Sequence, residues 1–126
     1  IGYAFMMFLN GMLRPGIDII LDEIGLEEKI TQADLVITGE GRLDAQTLMG
    51  KTPAGVASLA KKYHKRVLAI AGCFGDDVIQ CKQSGLFDDC LAVKDILSEQ
   101  EQIHAMEKRN ATAHLQKLVK QYFVNW

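Results

Sequence analysis

Cysteine is scarce and poorly placed for structural work: Cys73, Cys81 and Cys90 are odd in number, and no C-x-x-C pair occurs. That excludes a disulfide framework and a thiolate metal site. Reduced thiols in a cytoplasmic protein are the simplest account, and Asn110-Ala111-Thr112 is then a chance match to a glycosylation acceptor. Histidine offers no metal site either, since His64, His104 and His114 are scattered without ligand spacing. Excess positive charge is also missing. With 14 Lys+Arg against 16 Asp+Glu the net charge is −2, which leaves no electrostatic footprint for nucleic acid or an anionic membrane.

No apolar run is long enough to span a bilayer. The longest, Ile1 to Leu13, holds thirteen residues and is interrupted by Asn10, whereas a spanning helix needs about 20. It lacks a basic leader and a small-residue cleavage site, so a signal peptide is not indicated either. A helix buried nearly all round is the better reading. No repeat, low-complexity tract or linker follows it, and 126 residues at 48% hydrophobic suit a single core.

What stands out instead is the run from Asp34 to Val56. Asp34-Leu35-Val36-Ile37-Thr38 begins as an apolar strand, and Gly39-Glu40-Gly41-Arg42-Leu43-Asp44-Ala45-Gln46-Thr47 reads as a glycine-punctuated loop rich in charge and hydroxyls. Gly50-Lys51-Thr52-Pro53 then starts a helix. Gly39 and Gly41 let backbone approach a ligand closely. Arg42 offers a planar fork and Lys51 a point charge for phosphate or carboxylate oxygens. Glu40 and Asp44 can take a proton from a substrate hydroxyl or hold Mg²⁺. Thr38, Gln46, Thr47 and Thr52 add polar groups for oxygens or a metal-bound water. Anions, a divalent cation and a hydroxyl nucleophile together describe phosphoryl transfer.

Plainer readings stand beside these. The segment is neither a G-x-G-x-x-G fingerprint nor a Walker A loop. Arg42 with Glu40 or Asp44 can be a surface ion pair, Lys51 can pair with Glu40, and Thr52 can be an ordinary N-cap before Pro53. Lys61, Lys62, Lys65 and Arg66 read as a solvated, dipole-matched helix end.

The rest of the chain alternates helix and strand. Ile17, Ile20, Leu21 and Ile24 recur at helical spacing up to Gly25, and a short turn from Leu26 to Gln32 carries a solvated Glu27, Glu28 and Lys29. After the predicted strand Leu35 to Thr38 come a helix over Pro53 to His64, with Val56, Leu59, Ala60 and Tyr63 inward, and a strand over Arg66 to Ala71. A helix over Asp76 to Ser84, a strand over Phe87 to Val93 and a helix over Asn110 to Val124 complete the pattern, the last presenting Leu115, Leu118, Val119 and Tyr122. This order implies an α/β, Rossmann-like unit with parallel strands and right-handed crossovers. Thr38-Gly39 and Ala71-Gly72 then fall at the carboxyl ends of neighbouring strands, so the loop Gly72-Cys73-Phe74-Gly75 shares a rim with the charged loop. Asp76 and Asp77 complement a helix dipole there.

The string G-E-G-R-L-D-A-Q-T-L-M-G-K-T-P-A-G-V-A, from Gly39 to Ala57, closely resembles the signature segment of the bacterial-type glycerate kinase family. The likeness extends upstream through Leu13-Arg14-Pro15-Gly16-Ile17 and Ala33 to Ile37, and downstream to Ala71-Gly72. Members are two-domain α/β enzymes, much longer than this chain, that transfer the γ-phosphoryl of ATP to glycerate with Mg²⁺. The resemblance implies ATP, Mg²⁺ and glycerate as ligands, and a C-terminal portion whose N-terminal part is missing. The glycine-rich stretch that the family has before a helix like Gly2 to Leu13 is absent, and the chain opens on Ile1 rather than methionine. Residues 1–33 are then a helical segment belonging to, or bridging to, a second domain, and residues 34–126 a Rossmann-like domain. Exposed outside that context, the first helix could drive homo-oligomerisation. On this reading Arg42 clamps carboxylate or phosphate, Asp44 or Glu40 orients the hydroxyl or Mg²⁺, and Lys51 meets phosphate oxygens. The rival reading is a non-catalytic nucleotide- or anion-binding domain, or an inactive truncated product.

Overall fold

Val67-Leu68-Ala69-Ile70-Ala71 lacks the alternation of a one-sided strand, and it forms the middle of a sheet, with Val67, Leu68 and Ala69 wholly buried. The computed structural model describes residues 6–8, 12, 14–98, 101–102 and 108–124. Central strand β2 (Arg66–Phe74) pairs in parallel with β1 (Leu35–Leu43) on one side and β3 (Asp89–Ala92) on the other. Register sets Val36 beside Val67, Arg42 beside Cys73 and Ala71 beside Ala92. The helices whose bounds lie within the described residues are α1 (Gly16–Glu23), α2 (Leu26–Gln32), α3 (Thr52–Lys62), α4 (Ile79–Gln83) and α5 (Lys108–Val124), with 3₁₀ turns at Ala45–Leu48 and Val93–Ile96. This is the expected α/β architecture, its parallel strands joined by crossovers that contain α3 and α4.

Four boundaries differ from expectation. β1 runs past Thr38 to Leu43 and β2 past Ala71 to Phe74, so most of the glycine-rich residues are strand rather than loop. α4 is confined to Ile79–Gln83, because residues before it are held in successive turns, with Val78 N–H donating to Gly75 O and Gln80 N–H to Asp77 O. β3 is trimmed to Asp89–Ala92, after which Val93 enters a 3₁₀ turn.

Small residues determine how closely α3 lies on the sheet. Ala54, Ala57 and Ala60 are almost fully buried, whereas Val56, Leu59 and Tyr63, expected to point inward, are only partly buried at the core's edge. Val36, Leu43, Val67, Ala69 and Ala71 meet them, joined by Ile30 of α2, Cys81 of α4 and Phe87. Leu118 is the buried residue of α5 and Leu21 that of α1, while Ile20 and Ile24 are about half exposed. The described part of the first apolar run is exposed in this chain. Met6, Met7, Phe8 and Met12 are exposed, Phe8 at 82%, and the other residues of Ile1 to Leu13 lie outside the described ones, as does Trp126. Among the described residues no helix is long and apolar enough to cross a membrane.

The basic end of α3 is paired rather than merely solvated. Lys61 meets Asp88 at 2.6 Å, Lys62 meets Glu27 at 2.8 Å and Arg66 meets Asp89 at 3.3 Å. Tyr63 also donates to Glu27, and Tyr122 of α5 donates to Asp89 at 2.6 Å, so these pairs join α2 to the end of α3, join α3 and β2 to the start of β3, and join β3 to α5. Partial burial pushes the Asp88 carboxyl up, but hydrogen bonds from Lys61 and from Val67 N–H outweigh it and hold the group below its ordinary value. A carboxyl lowered on folding stabilises the fold above its unfolded pKa of about 3.9, and the contribution disappears as pH falls through the lower folded value. Denaturant midpoints should therefore drop less for Asp88→Asn than for the wild type between pH of about 5 and about 2; parallel curves would show that the pair contributes nothing.

Candidate functional site

The chemistry-bearing residues lie where β1 ends and the chain turns towards α3. Asp44, in extended conformation, stops the strand and caps the 3₁₀ turn Ala45–Leu48, its Oδ1 accepting from Gln46 N–H at 3.0 Å. Thr47, wholly buried, completes the cap: its Oγ1 accepts from Asp44 N–H at 3.2 Å and donates to Glu40 Oε1 at 2.5 Å. A hydroxyl has one proton, and the amide contact uses an acceptor lone pair, so that proton is directed at Glu40. One buried side chain therefore connects the Glu40 carboxylate to the backbone of Asp44. Glu40 Oε2 has no hydrogen-bond partner among the described residues.

Asp44 also sits between two cations. Arg42 Nε lies 3.5 Å from Oδ2 and Lys51 Nζ lies 3.7 Å from Oδ1, the Asp44 side chain being 16% exposed against 60% for Arg42 and 42% for Lys51. Of the alternatives left open by the sequence, both cations pair with Asp44. Gly50, at φ +90°, turns the chain into Lys51, which occupies the N-cap position in place of Thr52. Its carbonyl accepts from Gly55 N–H at 3.1 Å, and Thr52 becomes the first helical residue. Positive φ favours glycine here, because other L residues are strained in that region.

Two hollows flank β1. The first, about 510 Å³, opens at the start of α3 and brings together Gly39, Glu40, Lys51 and Thr52 against an apolar wall of Ile17 and Ile20. The second, about 440 Å³, lies on the α5 side and contains Thr38, Gly39 and Glu40 with Ile70, Gly72 and Leu115. Thr38 is thus separated from Lys51 and Thr52. Gly41, Arg42 and Gln46 are exposed at the strand end and line neither hollow. Among the described residues no three or more His, Cys, Asp or Glu side chains group to hold a metal ion.

The shared rim lies further along the strands than the sequence suggested, at Asp44 and Gly75. Gly75 N–H donates to Leu43 O at 2.8 Å, and Ala45 N–H donates to Asp77 Oδ1 at 3.2 Å. Cys81 Sγ, expected only to fill core, donates to Asp44 O at 3.0 Å. Burial first, then the nearby Asp44, pushes the Cys81 thiol up, which keeps it protonated and able to donate. Asp77 was read from sequence only as a helix-dipole charge; its partner is 32 residues away, and no local pattern signals such a contact.

The model of the glycerate kinase family matches residues 1–124. This chain belongs to that family. The glycerate 2-kinase of Escherichia coli K12 is 52% identical over 85 residues, covering 68% of this chain and 22% of that protein. The glycerate kinase of Bacillus subtilis 168 is 45% identical over 86 residues, again 68% and 22%. The crystal structure of a protein assigned as glycerate kinase 2 from Salmonella typhimurium LT2 superposes with a TM-score of 0.54 at 42% identity, over 73% of this chain and 22% of that one. The chain thus spans about a fifth of the length of the glycerate kinase family relatives it matches.

In this glycerate kinase family segment the Thr47 bridge is open to direct test. Thr47→Val keeps the shape but leaves the Asp44 amide and Glu40 without their shared hydroxyl, and should cost about 1–3 kcal/mol. Thr47→Ser should stay within about 1 kcal/mol of wild type. Urea unfolding measures both, and equal stability of all three proteins would mean the bridge carries no energy.

Proposed function

We propose that the protein carrying this chain is a cytoplasmic glycerate kinase that transfers the γ-phosphoryl of ATP to a glycerate hydroxyl, and that this chain forms one wall of the cleft. The supporting observation is the hollow in which Glu40, Lys51 and Thr52 converge at the start of α3, beside the Arg42–Asp44–Lys51 cluster. A helix N-terminus with an adjacent lysine favours phosphate oxygens. Lys51 and Thr52 are therefore the phosphate-side residues, with Gly39 allowing close approach on the strand side. Arg42, exposed and held from behind by Asp44, meets the glycerate carboxylate or a phosphate. Asp44 is the anchor for both cations. Glu40, one oxygen fixed by Thr47 and the other without a hydrogen-bond partner among the described residues, lines the hollow and is the carboxylate that engages the substrate hydroxyl.

Mg²⁺ commonly uses one or two carboxylates together with nucleotide phosphates, so the absence of an all-protein cage among the described residues is compatible with it. Glu40 would hold it through the open oxygen, and Asp44 is less suited with both oxygens facing cations. The ion would supply charge neutralisation on the transferring phosphoryl group. Residues 1–33 belong, on this proposal, partly to the interface with the remaining polypeptide. Apolar side chains such as Phe8 and Ile19 are exposed and await cover there.

The test is ATP-dependent formation of phosphoglycerate by the full-length protein, with the isolated 126-residue chain expected to show negligible turnover because the opposite wall is missing. In the full-length protein Glu40→Gln should lower kcat by about 10²–10⁴-fold. Asp44→Asn should also lower kcat more than it alters stability, while Arg42→Lys should chiefly raise the KM for glycerate or ATP, by roughly tenfold. A shifted Mg²⁺ dependence in Glu40→Gln separates a metal ligand from a proton acceptor. No glycerate phosphorylation by the full-length protein, or near wild-type kcat/KM in both carboxylate variants, sinks the reading.

A further inference from the structure

Two consecutive peptide groups at the end of β1 are held at three points by one short stretch of chain beyond β2. Gly75 N–H takes the Leu43 carbonyl, Cys81 Sγ takes the Asp44 carbonyl and Asp77 Oδ1 takes the Ala45 amide, at 2.8, 3.0 and 3.2 Å. Side chains are held as well as backbone. A Cβ placed on buried Gly75 would stand 2.7 Å from Asp44 Cβ and 3.1 Å from Arg42 Nε, so the bare backbone at 75 is the floor on which both side chains rest. Thr47 and Gln46 fix the turn from within, but these contacts fix it to the neighbouring strand. We infer that residues 75–81 form a clasp that sets the position of Asp44, and through it of Arg42 and Lys51, with Asp77 as its positioning residue.

None of these clasp groups need touch substrate. Their effect is on where the ion cluster stands relative to Glu40, and a displacement of about 1 Å near reacting groups can cost about 10²-fold in rate. Asp77 suits the role because its Oδ1 bridges two segments far apart in sequence, and because only an acceptor atom is required of it. The inference rests on the kinase reading for its kinetic consequence but not for its structural content. Cys81 adds a weak donor that burial keeps protonated, and Gly75 adds the absence of a side chain.

The experiment uses Asp77→Ala, Asp77→Asn and Gly75→Ala in the full-length protein, with Tyr122→Phe as a stability control at the far end of the sheet. Asp77→Asn keeps an acceptor oxygen, whereas Asp77→Ala removes it. Expected is a fall in kcat of about 10- to 100-fold for Asp77→Ala with KM changing less than about threefold, and recovery to within about threefold of wild type in Asp77→Asn. Gly75→Ala should also lower kcat, since its methyl displaces Asp44, while Tyr122→Phe should lower the unfolding midpoint and leave kcat alone. Amide exchange at Ala45, measured on the full-length protein, should accelerate in Asp77→Ala and not in Asp77→Asn. If Asp77→Ala fails to fold, Gly75→Ala decides by the same kinetic criterion. Wild-type kcat in Asp77→Ala, or equal loss in Asp77→Asn, overturns the clasp. If the wild type phosphorylates no glycerate, the kinase reading falls while the exchange measurement still decides whether the clasp exists.

Discussion

The close parallel pairing of β1 with β2 is the constraint on which the rest depends. It continues through Leu43 beside Phe74, and it is possible because glycines stand at the points of closest approach. A Cβ on Gly39 would lie 2.5 Å from the Ile70 carbonyl oxygen, and one on Gly72 would lie 2.7 Å from that of Gly41. Both distances are shorter than Cβ atoms show in real structures, so larger residues would force the strands apart. Without that pairing Asp44 and Gly75 would not meet, the turn Ala45–Leu48 would lose its outer support, and the two cations would have no fixed counter-charge. The signature glycines thus serve the sheet before they serve a ligand.

Among the described residues β1 is an edge strand, and successive residues of a strand face opposite sides, so it serves both. Glu40 and Gly39 border both hollows, whereas Thr38 turns to the α5 side and Lys51 and Thr52 lie only at the α3 side. A continuous strand therefore distributes residues that a loop would have gathered in one place. The group at the α3 side is held together by Thr47, whose burial removes it from ligand contact while making it the link between Glu40 and Asp44.

Much of the fold was legible because parallel strands announce themselves by apolar continuity: Val67 to Ala71 could hardly be anything but a covered strand. Helix starts were readable at Pro15-Gly16 and, one residue late, at Thr52-Pro53. The carboxyl ends of β1 and β2 were misjudged for a single reason, that glycine breaks a strand when considered alone and permits close strands when considered in pairs. In the candidate site, Glu40, Arg42, Asp44 and Lys51 were legible as residue types that suit phosphoryl transfer, although mixed charge beside glycine is common in ordinary loops, and the family signature rather than the charge pattern singled them out. Their partners were not. The hydrogen bond from Thr47 to Glu40 spans seven residues across a strand end, and that from Ala45 to Asp77 spans 32, distances at which only the folded chain brings groups together.

The charge arrangement decides what kind of ligand the strand end suits. An exposed pair is worth little when both partners are mobile, because ordering two long side chains offsets a screened attraction. Here the anion is the ordered member: Asp44 is fixed by Gln46 N–H, by the Thr47 cap and by the crowding of Gly75, and only 16% of its side chain is exposed. Arg42 and Lys51 approach it at 3.5 and 3.7 Å, too long for tight hydrogen bonds, and remain largely exposed. Their remaining N–H donors are therefore held near fixed positions without being consumed. On the proposed reading, an incoming phosphate or carboxylate would find two cations already gathered and need not displace Asp44 to bind them. Had Asp44 been the mobile partner, the same three charges would have closed on one another and left nothing to offer a substrate.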